Sequence, residues 1–163
     1  MAVDVSVAAS AERWLSAAGE VESLAEAALQ VLGFSEHELS ILLTDDRHIH
    51  TLNRDYRDKD SPTDVLSFAQ AEGEAFPGMI PVLGDLVISL ETAERQAAAL
   101  GHPLAAEVRV LLAHGLLHLL GYDHIEPDER AQMAAAEEQL LEALPAEPEW
   151  PTSSGLIGRQ GDA

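Results

Sequence analysis

The sequence predicts an α+β domain in which a small mixed four-stranded sheet is covered by helices, with a central buried helix carrying two histidines. Three observations lead there. Four short aliphatic runs are interleaved with segments of helical spacing. One of those segments, Leu104 to Leu120, is apolar nearly all round and carries charge only at Glu107 and Arg109, as a helix enclosed by other layers must. Ala and Leu are abundant while aromatic residues make up only 4% of the chain, which favours helix-rich packing. At 163 residues the chain has the length of one ordinary domain, assigned to residues 1–144, with residues 145–163 as a disordered tail.

Apolar and polar residues alternate from Val3 to Val7, as in a half-buried strand. A helical pattern follows from about Glu12 to Leu32 and stops at Gly33. Leu39 to Thr44, rich in branched aliphatics, reads as the second strand. Helical spacing through Ile49, Leu52 and Tyr56 then marks a helix over Asp45 to Tyr56, opened by two Asp that suit a helix N-terminus. Arg57 to Asp64 (RDKDSPTD) has the charge, Ser and Pro of an exposed loop and leads into a third strand, Val65 to Ala69. A Gly- and Pro-containing segment, Gln70 to Leu83, separates this from a fourth strand, Gly84 to Ser89.

From Leu90 the pattern is helical. The first helix ends at Gly101, the apolar one runs to Gly121, and the last begins at Pro127, a residue suited to a first helical turn. Beyond Leu144 Pro and Gly accumulate without periodicity.

With no cysteine, disulfides, thiolate metal sites and thiol nucleophiles are excluded. The N-terminus has no basic leader, and no stretch of 18 apolar residues could span a bilayer, so the expectation is a cytoplasmic protein without membrane association. Nine basic against twenty-nine acidic residues give a net charge of −20, which repels polyanions at long range. Acidic residues cluster in EVESLAEAALQ and DERAQMAAAEEQLLEA, both read as solvated helix faces.

The stretch HGLLHLLGYDH, His114 to His124, concentrates three of the seven histidines. Four residues turn a helix through about 400°, so His114 and His118 share one face. Gly121 suits a left-handed helix terminator, and the resulting turn can bring His124 back to the first two imidazoles. Three buried imidazoles without partners would cost roughly 1–3 kcal/mol each, and a shared metal removes that cost. Three imidazole nitrogens favour zinc and leave a fourth tetrahedral position open, although nickel or another divalent ion would accept them too. One divalent ion per chain, Zn²⁺, is therefore expected. Asp85 and Asp123 are candidates for the outer carboxylates that orient such histidines.

Metzincin peptidases use the same His spacing but place a general-base Glu after the first His. Here that position is Gly115, which cannot accept a proton.

HGLLHLLGYDH, together with LNRDYRDKDSPTDVLSFA and LGDLVIS, resembles the bacterial YbeY family. These are single-strand-specific endoribonucleases linked to ribosomal RNA maturation and ribosome quality control. The resemblance runs from about Leu39 to Leu144. It implies that His114, His118 and His124 are metal ligands and that Arg57 is the functional arginine, whose planar fork can grip a phosphate. Ala69 stands where the family usually has proline. Thr63 and Asp64 also match but have turn and strand-entry explanations. Arg54 and Lys59, close to Arg57 in sequence, are candidate RNA phosphate contacts. The expected partners are single-stranded or ribosomal RNA and a ribosome or ribosome-associated protein, whose docking would offset the acidic charge. The competing readings are a non-catalytic, metal-stabilised ribosome-assembly factor and a metallopeptidase-like hydrolase.

Overall fold

A computed structural model describes residues 3–69, 82–122 and 126–144. Strand β1 (Val3–Val7) is followed by a 3-10 helix (Ala9–Ala17) and helix α1 (Ala18–Leu32). Then come β2 (Glu38–Thr44), α2 (Asp46–Arg57), β3 (Val65–Ala69), β4 (Val82–Ser89), α3 (Leu90–Leu100), α4 (Leu104–Leu119) and α5 (Pro127–Ala143). The strands form one sheet in the order β1-β2-β4-β3. β1, β2 and β4 run parallel, while β3 pairs antiparallel with β4 along the edge, so the sheet is mixed as the sequence predicted.

Its two faces are covered unequally. Leu39, Ile41, Leu43, Leu86 and Ile88 point into the main core with α1 and α4. Their alternates meet α2 in a smaller cluster of Ile49, Leu66 and Val87. Helix α4 packs against β3 and β4 on one side and against α3 and α5 on others. Eleven of its residues are buried, which accounts for its nearly uniform hydrophobicity.

The predicted starts of two elements move by more than one residue. The helix expected from Glu12 instead begins at Ala18, preceded by the 3-10 segment, with Ala11 outside helical geometry. Ala11, Trp14 and Ala17 are the buried residues of that segment, a strict three-residue spacing that a helix of three residues per turn keeps on one face. The fourth strand begins at Val82 rather than Gly84. The register of β2 against β4 skips from Glu38–Val82 to Leu39–Gly84, so Gly84 lies in a bulge with φ of 150°. A Cβ there would run into the Phe68 carbonyl oxygen of the adjacent strand.

The predicted turn chemistry holds where it is described. Asp45 Oδ1 accepts from the His48 N–H at 2.9 Å to cap α2. Pro127 opens α5, with Glu126 and Glu129 forming a capping box. Gly121, at φ of 100°, donates to the His118 carbonyl, and Tyr122 donates to that of Leu117, closing the end of α4. The expected linker, apart from its last two residues, lies outside the described residues, as do Asp123, His124 and the tail. No helix among the described residues is long and apolar enough to cross a membrane.

Candidate active site

The last turns of α4 carry His114 and His118 towards β3. The helix can come close because residue 115 has no side chain: a Cβ on Gly115 would lie 2.9 Å from Leu86 Cδ2 and 3.2 Å from Val65 Cγ2. Ser67 Oγ fastens the contact by donating to the Gly115 carbonyl at 3.1 Å. Position 115 therefore faces the sheet, where a general base would have no room.

The two imidazoles meet as helix pitch requires. Their Nε2 atoms are 3.1 Å apart and their rings are edge-to-face, with centroids separated by 4.6 Å. Two nitrogens held 2.0–2.1 Å from one tetrahedral zinc would be about 3.3 Å apart, so the pair fits a shared ion within a few tenths of an ångström. Among the described residues no cluster of three His, Asp or Glu side chains completes such a site. The third expected ligand, His124, and the expected outer carboxylate Asp123 lie outside the described residues.

The other expected outer carboxylate, Asp85, is exposed and next in sequence to Leu86, which packs beneath Gly115. Strand alternation turns Asp85 to the opposite face of the sheet, away from the histidines. Among the described residues, Glu137 of α5 brings a carboxylate to His114, its Oε1 accepting from Nδ1 at 2.7 Å. Its acidic neighbours in sequence suggest a solvated face for Glu137. It lies four residues after Met133 and three before Leu140, the two buried residues of α5, and that spacing was the available signal.

Opposite the histidines stands Arg57, in the last turn of α2. Its guanidinium donates to the Ser67 carbonyl and lies 4.8 Å from the centre of the Phe68 ring. The chain turns sharply there because Asp58 adopts a left-handed conformation (φ 59°). Buried Asn53 then holds the returning loop by donating from its side chain to the Ser61 carbonyl at 2.8 Å. Asp64 Oδ1 accepts from the Val65 N–H at 2.7 Å, the strand-start role its position suggested. A cleft of about 700 Å³ joins Arg57 and Lys59 to His114 and His118. Arg54 does not line it. It is exposed and pairs with Asp55 at 3.2 Å.

Paired imidazoles and a guanidinium facing one cleft can bind and polarise a phosphate ester. The family model described as Endoribonuclease YbeY matches residues 4–145. The chain is 47% identical over 140 residues to Endoribonuclease YbeY of Heliobacterium modesticaldum, covering 80% of this chain and 84% of that one. It is 56% identical over 105 residues to Endoribonuclease YbeY of Aquifex aeolicus, covering 64% and 68%. The solution structure of TM1509 from Thermotoga maritima shares the fold, with a TM-score of 0.59 at 22% identity over 86% of this chain and 87% of that one. The chain belongs to the endoribonuclease YbeY family.

Proposed function

We propose that residues 1–144 form a metal-dependent endoribonuclease domain that cuts single-stranded RNA in ribosomal RNA maturation and ribosome quality control, and that residues 145–163 are a tail outside it. The observation that carries this reading is the 3.1 Å approach of the His114 and His118 Nε2 atoms in the same cleft as Arg57. His114, His118 and His124 would hold one divalent ion, zinc by its preference for imidazole nitrogen. Such an ion supplies Lewis-acid polarisation of a phosphoryl oxygen and lowers the pKa of water.

The remaining work falls to the chain's own side chains. A guanidinium has five N–H donors, so Arg57 can keep its bond to Ser67 and still present others to a phosphate in the cleft. Phe68 beneath it restricts its movement, which keeps the donors aimed. There they would bind the scissile phosphate and offset the negative charge that grows as the phosphorus is attacked. Lys59 on the same cleft adds a further positive contact to the RNA backbone.

A net charge of −20 leaves long-range attraction to RNA weak. Docking on the ribosome or a ribosome-associated protein would supply the substrate at high effective concentration. The test is Arg57→Ala, which should abolish cleavage of single-stranded RNA while metal content and folding stay intact. Cleavage at the wild-type rate would refute the role assigned to Arg57.

A further inference from the structure

Helix α5 has a thin hold on the rest of the domain. Its buried residues are Met133 and Leu140, with Leu144 just beyond its end. Two polar links to α4 set its register along that helix. Near its C-terminus, Arg109 donates to the Leu141 carbonyl at 2.7 Å and to the Leu144 carbonyl at 3.4 Å. One to two turns earlier, Glu137 receives His114 Nδ1 at 2.7 Å, with both side chains partly shielded at 24% and 31% exposure.

A neutral imidazole carries one proton, and an ionised carboxylate can only accept. A hydrogen bond from Nδ1 to Glu137 therefore requires the proton on Nδ1 and leaves the lone pair on Nε2. That is the nitrogen 3.1 Å from His118 Nε2. The contact fixes the ring's rotation as well as its tautomer, because both nitrogens now have defined directions.

We propose that Glu137 is a positioning residue for the histidine site, holding His114 as the Nδ1-protonated tautomer with Nε2 aimed at the point it shares with His118. The assignment rests on the reading of His114 as a ligand, and it makes α5 part of the site although α5 lines none of the cleft. A carboxylate in this place also strengthens the ring's donor nitrogen. Removing such a partner costs about 10- to 100-fold in metal affinity or activity.

The test compares the full-length wild type with Glu137→Gln and Glu137→Ala. The His114 tautomer is read by ¹⁵N NMR of the metal-free protein, and Zn²⁺ affinity by competition with a chromophoric chelator. Glu137→Ala should shift His114 towards a mixture of tautomers and weaken Zn²⁺ binding 10- to 100-fold. Glu137→Gln, whose amide oxygen still accepts from Nδ1, should keep the tautomer and recover part of the affinity. If Glu137→Ala keeps the wild-type tautomer and affinity, or if both variants lose only thermal stability, Glu137 merely anchors α5 and the proposal is overturned. A wild type that shows the Nδ1 tautomer, lost in Glu137→Ala, but binds no Zn²⁺ would uphold the positioning role and refute the ligand reading.

Discussion

Ser67 Oγ donates to the Gly115 carbonyl at 3.1 Å, joining the edge strand β3 to the helix that carries His114 and His118. The carbonyl of the same serine receives the guanidinium of Arg57. One residue of β3 thus connects Arg57 to the imidazoles on the far side of the cleft. The relative placement of the two halves depends on this strand.

Replacing Ser67 by Ala breaks the link to α4 but keeps the backbone carbonyl that holds Arg57. A hydrogen bond of this kind contributes about 1 kcal/mol, so urea unfolding should show a loss of about that size. Single-turnover cleavage of single-stranded RNA should slow several-fold, with bound metal unchanged. Unaltered stability and rate would show that packing alone sets the distance.

Gly115 gives a second check on the same approach. A methyl group there gains about 1 kcal/mol of helix propensity over glycine, against about 1–3 kcal/mol for crowding Leu86 and Val65. Gly115→Ala should therefore be mildly destabilising, and Gly115→Val, with two more carbons against the sheet, several times worse. A Gly115→Val protein as stable as wild type in urea would contradict the packing described.

Asp46 links the start of α2 to α3 and the end of β4. Burial raises its pKa, but hydrogen bonds from Ser89, Thr92 and Arg95, with the charge of Arg95, outweigh burial and hold it below the ordinary 3.8. Folding therefore favours the ionised carboxylate. The stability it contributes is fully present above the unfolded value and is lost as pH falls through the lower native one. Unfolding free energy measured from pH 6 downward should decline below about pH 4, and Asp46→Asn should flatten that decline. An equally steep decline in Asp46→Asn would remove Asp46 as a cause.

Much of this was legible in the sequence. Alternation marks β1, branched aliphatics mark β2, a nearly all-apolar helix marks the centre, and helix pitch pairs His114 with His118. What escaped depended on tertiary partners. Gly84 reads as a strand start from sequence, whereas β4 runs through it from Val82, and the Phe68 carbonyl opposite leaves no room there for a Cβ. Asp85 was a candidate outer carboxylate for the histidines, and the sheet's alternation sends it to the other face. Glu137 hid in an acidic run, and its function depends on which neighbour α5 packs against. The meeting of Arg57 with the histidines across nearly 60 residues of sequence was implied by family resemblance alone; the antiparallel pairing of β3 with β4 provides it.

The geometry of the cleft implies that the histidine pair and Arg57 belong to one ribonuclease site. This is tested most directly by cleavage of a labelled single-stranded RNA by wild type and His114→Ala purified in parallel, with and without a chelator. Only the wild type should cut, and the chelator should stop it. Equal cleavage by both proteins, or by neither, would contradict catalysis at this site.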